Sequence, residues 1–313
     1  MKRAAVTAKG SPRSARAARS LTAPRVLVIY KKSAYQIYVR ERRNQRIKQL
    51  IAAHDPAVVN LLRAHRHHLE ALEEAKRTFA KLGAHAVFRH RSDAQQIREF
   101  DLLVTLGGDG TLLWASHLVG ADVPVLAINT APEDSVGFFC AGKKRGLHAV
   151  FEQALRGKLR EIALARLRVD VDGVLISKRV LNDVLFCHEC PASTSRYSIQ
   201  LGALRERHKS SGVWIGPAAG STAAQRSAGG RILPIRSQAL QFVVREPYDV
   251  RRTRLQLARG VVEPGDTLKI ESYMRAGRLF IDGPHEMRTV QMASSIELRV
   301  SDEPLTLLGF RGR

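Results

Sequence analysis

Short apolar runs alternate with segments of helical periodicity in the first half of the chain. Four runs rich in apolar and β-branched residues predict buried strands, at 25–30, 85–90, 102–106 and 123–128. Between them, apolar spacing and cap residues predict helices over 55–82, from Ser92 to about Phe100, and over 112–118. The long helix carries His65, His67 and His68 on an expected solvated surface, because two of them cannot share its apolar face. Strands that alternate with helices predict an α/β domain, doubly wound around a mostly parallel sheet.

The pattern changes after about residue 163, where strands follow one another with little helix between them. Short apolar runs separated by turn residues predict strands, at 167–171, 180–186, 197–201, 240–245, 267–271, 278–281 and 295–300. An all-β-rich second domain is therefore expected. The predicted units are a basic disordered tail (1–24), an α/β domain (25–163), a β-rich domain (164–300) and a C-terminal segment (301–313). That last segment is expected to pack back on the first domain.

The charge of the chain is unusual, since 51 basic and 29 acidic residues leave a net charge of +22. Such an excess attracts polyanions, among them nucleic acids and nucleotides. Part of it lies in the tail, where seven Lys or Arg residues occur up to Arg25 and the first carboxylate of the chain is Glu41. Elsewhere Arg is interspersed with Glu, Ala and Leu, as on solvated helix faces. A basic cleft for a nucleotide substrate is therefore the preferred explanation, and nucleic acid is not expected as a partner.

Cysteine usage and the tail bear on the compartment. The three cysteines, Cys140, Cys187 and Cys190, form no even disulfide framework, which indicates a reducing environment. The run 187–190 has no second Cys pair, so a zinc site is not predicted. No run approaches the roughly 18 apolar residues of a membrane span, and no membrane association is expected. A cytoplasmic location is expected, with a mitochondrial one as the alternative if residues 1–24 are a transit peptide.

Three glycines and one carboxylate stand between a predicted strand and a predicted helix, in the segment Gly107-Gly108-Asp109-Gly110-Thr111. Glycines allow the backbone to approach a phosphate closely, and N–H groups at a helix start provide fixed positive dipoles. Asp109 would repel a phosphate unless it holds Mg²⁺ or takes a proton from an attacking hydroxyl. The alternative is a tight turn in which Asp109 caps the helix through Thr111.

Two further segments place polar side chains where the chain is otherwise small or apolar. The run 218–230 has hydroxyls at Ser221 and Thr222 and ends in Gly-Gly, which is typical of a helix whose N-terminus lies near a ligand. The alternative is a close-packed helix between the two domains. Asn182 and Asp183 interrupt a predicted strand, where their burial is costly without partners. They suit the hydroxyls of a ribose and the edge of a purine, or else they mark a turn at a strand end.

Taken in order, these motifs resemble those of the NAD kinase family. The set comprises the 107–111 loop, Gly137-Phe138, the Asn182-Asp183 pair, and Gly-Ser-Thr-Ala from 220 followed by Ser-Ala-Gly-Gly from 227. Further segments are similar to the plant-type NADH kinase branch, at 190–192, 195–197, 240–242, 245–247 and 279–283. The resemblance covers roughly residues 100 to 285 and is specific as a set, although each motif alone is not.

The resemblance implies an NAD kinase-like fold with the active site between the two domains. It implies an enzyme that uses ATP to phosphorylate the 2′-hydroxyl of the adenosine ribose of NAD or NADH. Asp109 would deprotonate that hydroxyl or help to place Mg-ATP, with Mg²⁺ carried by ATP and no other direct metal ligand assigned. The residues implied to border the phosphates or hold the dinucleotide are Gly107, Gly108, Gly110, Thr111, Phe138, Asn182, Asp183, Gly220, Ser221, Thr222, Ala223 and Ser227. A homodimer or larger homo-oligomer is implied as well.

Two positions depart from the commoner family members. Ser211-Gly212 stands where they carry Asp-Gly, and Ala224 stands where they carry Tyr. The NADH-preferring branch shares an altered sequence here, so the change could alter redox preference without removing activity. Two alternatives remain open: a lipid kinase of the diacylglycerol or sphingosine type, and a nucleotide- or nucleic-acid-binding protein without turnover. The 220–230 segment and the Asn182-Asp183 pair argue against the first, whereas the net charge and both departures support the second.

Overall fold

In a computed structural model of the protein, the described residues are 23–93, 99–133, 135–143, 146–248, 255–310 and 312. Among them, the α/β half contains six strands and four α-helices. The strands are β1 (Arg25–Tyr30), β2 (His85–His90), β3 (Leu102–Gly107), β4 (Val125–Asn129), β5 (Gly142–Lys143) and β6 (Glu161–Leu164). The helices are α1 (Gln45–Ala52), α2 (Val59–Lys81), α3 (Asp109–Ser116) and α4 (Leu147–Leu155). A π-helical segment spans Gln36–Glu41, and a 3₁₀ turn spans Arg91–Asp93.

The remainder of the described chain is mostly strand. The strands are β7 (Leu167–Val171), β8 (Val174–Val180), β9 (Val184–His188), β10 (Ser195–Leu201), β11 (Leu204–Ser210), β12 (Val213–Pro217), β13 (Leu240–Val244), β14 (Arg259–Val262), β15 (Leu268–Ser272), β16 (Gly277–Ile281), β17 (Glu286–Val290), β18 (Ser295–Val300) and β19 (Leu305–Leu308). Helical structure here is limited to a 3₁₀ segment, Ala218–Thr222, and the four-residue helix α5 (Ala224–Ser227).

The first sheet has the order β2-β1-β3-β4-β19-β6, with β5 beside β4. Strands β1 to β4 are parallel, β19 joins β4 in parallel, and β6 runs antiparallel to β19. One face packs against α2 and α4, around Phe79 and Phe151. The other face packs against α3 and also receives Leu181 and Ala219 from the second half of the chain. Helices on both faces of a mostly parallel sheet confirm the doubly wound prediction.

The second half folds into two six-stranded antiparallel sheets. Their orders are β11-β10-β15-β18-β7-β8 and β14-β13-β12-β9-β16-β17. Inward side chains of both sheets form one apolar core, in which Phe186, Tyr197 and Phe242 are fully buried. Alternate residues along each strand face this core, as expected when one face of a sheet is covered. The all-β-rich prediction is confirmed.

Three predicted elements differ from the structure. The strand predicted over 180–186 is wrong, because residues 181–183 leave the ladder and separate β8 from β9. The helix predicted over 112–118 begins earlier, at Asp109, and ends at Ser116. The single helix predicted within 218–230 is replaced by the 3₁₀ segment and α5. Much of the helix predicted from Ser92 to about Phe100 lies outside the described residues.

The prediction that the histidines of α2 are solvated is wrong for two of them. His65 and His68 are three residues apart and therefore share a helix face, and both are buried. The Ser33 hydroxyl lies 2.7 Å from His65 Nδ1, and the Thr130 hydroxyl lies 3.1 Å from His68 Nδ1. Both partners come from loops that follow strands of the sheet, so each imidazole has a polar contact, although His65 Nε2 has no hydrogen-bond partner among the described residues. None of the described helices is long and apolar enough to cross a membrane.

Candidate active site

A cavity of about 720 Å³ lies at the carboxyl ends of the parallel strands. In the order β2-β1-β3-β4, the chain moves from β1 outward to β2 on one side of the sheet, and from β3 outward to β4 on the opposite side. The carboxyl ends of β1 and β3 therefore border a topological switch point, where open α/β sheets bind ligands. The cavity is lined there by Lys31, Gly108, Asp109 and Thr111, and on the side of the second half by Asp282 and Glu286.

The glycine loop connects β3 to α3 at the floor of this cavity. Gly107 is buried at the end of β3, and a Cβ built there would lie 2.1 Å from the Thr111 hydroxyl oxygen. Only glycine allows Thr111 to pack back against the strand at this point. Gly108, Gly110 and Thr111 line the cavity, so the backbone of the first helical turn faces it. This is the arrangement in which helix-terminal N–H groups can meet an anion.

Asp109 is the first residue of α3 and does not cap it. Gly108 occupies the N-cap position without a side-chain hydrogen bond, which overturns the capping alternative. Instead, the Asp109 carboxylate accepts hydrogen bonds from the N–H groups of Phe138 (2.8 Å) and Phe139 (3.0 Å). Each carboxylate oxygen retains a further lone pair, and Asp109 lines the cavity. The carboxylate thus fixes the 137–139 loop and remains able to contact a ligand.

The Asn182-Asp183 pair lies in the turn between β8 and β9, held by the carboxylate of Asp282. That carboxylate accepts hydrogen bonds from the backbone N–H groups of Leu181 (2.8 Å), Asn182 (2.7 Å) and Asp183 (3.1 Å). His117, which directly follows α3, adds a fourth contact, with Nε2 2.7 Å from Asp282 Oδ2. The turn with Asn182 and Asp183 is therefore joined through Asp282 to the helix that begins at Asp109.

Both side chains of the pair have unusual environments. Burial, and then the charge of Asp282, raise the pKa of Asp183 to about 7. The side-chain oxygen of Asn182 is buried and has no hydrogen-bond partner in the described part of the chain. A buried acceptor without a partner is uncommon in proteins. A hydrogen-bond donor of a ligand would satisfy it.

The 218–230 segment contacts the same turn. A Cβ built at Gly220 would lie 1.7 Å from the carbonyl oxygen of Asn182, so no other residue fits there without a shift of the turn. Gln225 donates from Nε2 to that carbonyl oxygen at 3.2 Å. Ser221 is fully buried, and its hydroxyl donates to the Ala218 carbonyl (2.7 Å) and accepts from the Leu233 N–H (3.0 Å). The second and third motifs of the sequence are thus in direct contact.

The structure brings most of the sequence-predicted site residues into two adjacent groups. Gly108, Asp109, Gly110 and Thr111 line the cavity. Asn182, Asp183 and Gly220 form the second group, beside which Thr222 and Ser227 are exposed and Ala223 is half-buried. The Phe138 ring packs against Phe139 and Phe310, at centroid distances of 4.9 and 5.7 Å. The ligand roles of all these residues stay predictions.

Several residues that line the cavity had no assigned role in the sequence, among them Lys31, Arg91, His117 and Asp282. Asp282 begins an Asp-Gly pair, and its left-handed φ of 47° fits the turn that this pair predicts. Lys31 and Arg91 directly follow β1 and β2, a position that identifies ligand-facing residues once the strands are known to be parallel. For His117 the sequence offered no signal.

A second cavity of about 380 Å³ lies on the β-rich half, apart from the glycine loop. It is lined by Cys187, Cys190, Ser211, Trp214 and Arg245, among others. The Ser211 hydroxyl, at the position that departs from the commoner family pattern, donates to the carboxylate of Glu246. The Arg245 guanidinium lies over the Trp214 ring, 5.8 Å from its centroid. In the described ranges no group of three His, Cys, Asp or Glu side chains is placed to hold a metal ion.

Known proteins match the chain in sequence and in fold. A family model described as the ATP-NAD kinase N-terminal domain matches residues 13–157. A probable NADH kinase of Oryza sativa subsp. japonica is 32% identical over 274 residues, which cover 80% of this chain and 84% of that protein. An NAD kinase from Archaeoglobus fulgidus, crystallised with ATP, superposes with a TM-score of 0.63 at 17% identity, covering 92% of this chain and 94% of its own. Yeast NADH kinase, complexed with NADH, superposes with a TM-score of 0.65 at 17% identity, covering 92% of this chain and 84% of its own.

The resemblance drawn from the motifs, including its plant-type NADH kinase branch, is therefore confirmed. The lipid-kinase alternative finds no support in these comparisons. Because the identity to the rice protein extends over most of both chains, the chain belongs to the NAD kinase family.

Proposed function

We propose that the protein transfers the γ-phosphoryl group of ATP to the 2′-hydroxyl of the adenosine ribose of NAD or NADH. A bond forms between the ribose oxygen and the γ-phosphorus, and the bond from that phosphorus to the bridging oxygen breaks. The products are ADP and NADP or NADPH. Family membership supports this reaction, and so do the ATP and NADH in the similar crystal structures.

The observation that carries the proposal is the position of Asp109 at the switch-point cavity. Two backbone N–H groups fix its carboxylate beside the glycine loop. A fixed carboxylate next to a phosphate-binding backbone can accept the proton of an attacking hydroxyl, or position it. The Asn182-Asp183 turn, joined to α3 through Asp282 and His117, would hold the adenosine part of the dinucleotide. Such a site works by positioning, which is the main requirement of phosphoryl transfer.

The finer features of the reaction are proposals as well. Mg²⁺ would arrive on the ATP phosphates and neutralise their charge. Asp109 and Glu286 are cavity carboxylates of the kind that Mg²⁺ accepts as ligands, so the residues fit this ion. A homodimer or larger homo-oligomer and a cytoplasmic location complete the proposal. A protein that binds nucleotides without turnover is the rival, and the Ser211 and Ala224 departures are its support.

A chromatographic assay for phosphorylated dinucleotide tests the reaction. The wild type is incubated with Mg-ATP and either NAD or NADH, beside Asp109→Asn. We expect product from the wild type and a loss of at least about 100-fold in the variant, the usual effect of removing a general base. Asp101→Asn is the matched control, because the Asp101 carboxylate lies at the other end of the sheet, where it accepts a hydrogen bond from the Arg25 N–H. No product with either dinucleotide would overturn the kinase and favour the rival.

A further inference from the structure

Two cations follow neighbouring strands and reach the same cavity as the glycine loop. Tyr30, the last residue of β1, pairs with His90, the last residue of β2, so Lys31 and Arg91 leave the sheet side by side. On its other side, Tyr30 pairs with Leu106 of β3, which places Lys31 next to the start of the glycine loop. Lys31, Arg91 and Gly108 to Thr111 all line the cavity.

Neither cation has an acidic partner among the residues that the structure describes. The adjacent Lys32 differs, because its ammonium group lies 2.8 Å from the Glu41 carboxylate. Burial in the cavity, and then the positive charge of Arg91, lower the pKa of Lys31, although its side chain remains accessible from the open cavity. The two groups repel each other in their present arrangement, and an anion between them would remove that repulsion.

The carboxylates of the cavity are already compensated on its other side. Asp109 accepts two backbone N–H groups. Asp282 accepts three backbone N–H groups and contacts His117. Glu286 lies 3.5 Å from Arg288 and 3.9 Å from His117. The cavity therefore has one side with unpaired positive charge, formed by the ends of β1 and β2, and this side faces the backbone N–H groups of α3.

We propose that Lys31 and Arg91 bind the β- and γ-phosphates of the nucleoside triphosphate, opposite the glycine loop. The inference rests on the proposed function and adds the residues that bind the donor. A triphosphate between the glycine loop and the two cations would present its γ-phosphorus next to Asp109. The diphosphate of the dinucleotide is the competing occupant, and the experiment distinguishes the two.

The test is calorimetric binding of Mg-ATP, Mg-ADP, AMP, NAD and NADH to the wild type and to the variants Lys31→Met and Arg91→Met. Lys32→Met is the control, because the same charge is removed from a side chain that is paired with Glu41. Loss of one charge-assisted contact should weaken Mg-ATP binding by about 10- to 100-fold in either variant. AMP binding should be unchanged, and Lys31→Arg should keep most of the affinity for Mg-ATP.

Several results would overturn the inference. One is unchanged Mg-ATP binding in Lys31→Met and Arg91→Met, and another is no Mg-ATP binding by the wild type. An equal loss of affinity for AMP and Mg-ATP would indicate a general structural defect. A loss of affinity for NAD or NADH with unchanged affinity for Mg-ATP would assign the cations to the acceptor. These titrations need no turnover, so they test the inference independently of the reaction. The proposed function would be overturned by a different result, the absence of phosphorylated dinucleotide in the chromatographic assay.

Discussion

His117 Nε2 lies 2.7 Å from the carboxylate of Asp282, and this contact joins two parts of the site that are far apart in the chain. His117 follows the helix that begins at Asp109, whereas Asp282 holds the turn of Asn182 and Asp183 by three backbone hydrogen bonds. The Asp282 carboxylate thus links the helix of the glycine loop to the turn of the proposed dinucleotide site.

Replacing that carboxylate should weaken dinucleotide binding more than ATP binding. An Asn at position 282 has one acceptor oxygen, and its amide hydrogens would face at least one backbone N–H of the turn. Loss of a charge-assisted hydrogen bond costs about 1.5–3 kcal/mol, which is roughly 10- to 100-fold in binding. We therefore expect Asp282→Asn to raise the KM for NAD or NADH by at least about 10-fold and to change the KM for ATP less.

Two further variants refine this prediction. A double-mutant cycle with His117→Gln should show non-additive effects on the dinucleotide KM, because the two residues are in contact. Asp302→Asn is the control, since that carboxylate is 69% exposed and its ion pair is with Lys178, away from the site. An unchanged dinucleotide KM in Asp282→Asn would contradict the role assigned to this carboxylate.

Arg166 should be essential for stability, because its guanidinium is fully buried between the two halves of the chain. It donates to the carbonyl oxygens of Ser116 (2.9 Å), the last residue of α3, of Val119 (3.1 Å) and of Glu303 (2.6 Å). Burial first, and then the charge of Arg179, lower the pKa of Arg166 to about 10, so it stays charged at pH 7. Arg166→Met would leave these carbonyls unpaired and should lower the free energy of unfolding by roughly 3–5 kcal/mol.

Urea unfolding followed by circular dichroism measures this effect. Arg156→Met is the control, because the Arg156 side chain is 61% exposed and its ion pair with Glu152 lies at the surface. Such pairs contribute about 0.5 kcal/mol or less. Equal midpoints for the two variants would show that Arg166 does not hold the halves together.

The elements that the sequence predicts well are those whose signal is local. Strand β1 is buried on both faces, so it reads as a continuous apolar run, and the predicted bounds match the structure. The glycine loop could be picked out for the same reason, since its residues are adjacent in the chain. In contrast, β19 lies beside β4 because the chain returns to the first sheet after the whole β-rich half, and no local pattern specifies that pairing.

Burial of polar groups depends on partners that the sequence does not place. His65 and His68 look like surface residues until Ser33 and Thr130, from two other loops, are found next to them. The predicted strand over 180–186 failed for a similar reason: Asp282, about 100 residues later in the chain, holds the backbone of residues 181–183 out of the ladder. The contacts between motifs are therefore a result of the fold.

Asp183 should make the protein less stable as the pH rises. Its folded-state pKa of about 7 exceeds the value of 3.8 for an ordinary aspartate, so the folded state retains a proton that the unfolded state has lost. The free energy of unfolding should therefore fall between pH 4 and pH 7 and level off above that. Asp183→Asn removes this loss and should stabilise the protein at pH 8, by up to about 4 kcal/mol. Below pH 4 the two proteins should unfold alike, and a stability difference that does not change with pH would refute the assignment.

His68 should make the protein less stable as the pH falls, the opposite of the effect of Asp183. Its burial, and then the charge of Lys31, lower the pKa of His68 to about 4, compared with 6.5 for an ordinary histidine. The unfolded state therefore binds a proton that the folded state does not, and stability is lost as the pH falls from about 6.5 to 4.

We expect His68→Asn, which keeps a polar group near the Thr130 hydroxyl, to flatten this dependence. Between pH 7.5 and pH 5 the wild type should lose about 2 kcal/mol more of its unfolding free energy than the variant. The reason is that pH 5 lies roughly 1.5 units below 6.5, the pKa of histidine in the unfolded state, and each unit corresponds to about 1.4 kcal/mol. His54→Asn is the matched control, since His54 is exposed and its left-handed φ of 53° suits asparagine. Urea unfolding at both pH values gives the comparison. If His68→Asn and His54→Asn lose equal stability on acidification, the buried histidine does not titrate as its surroundings indicate.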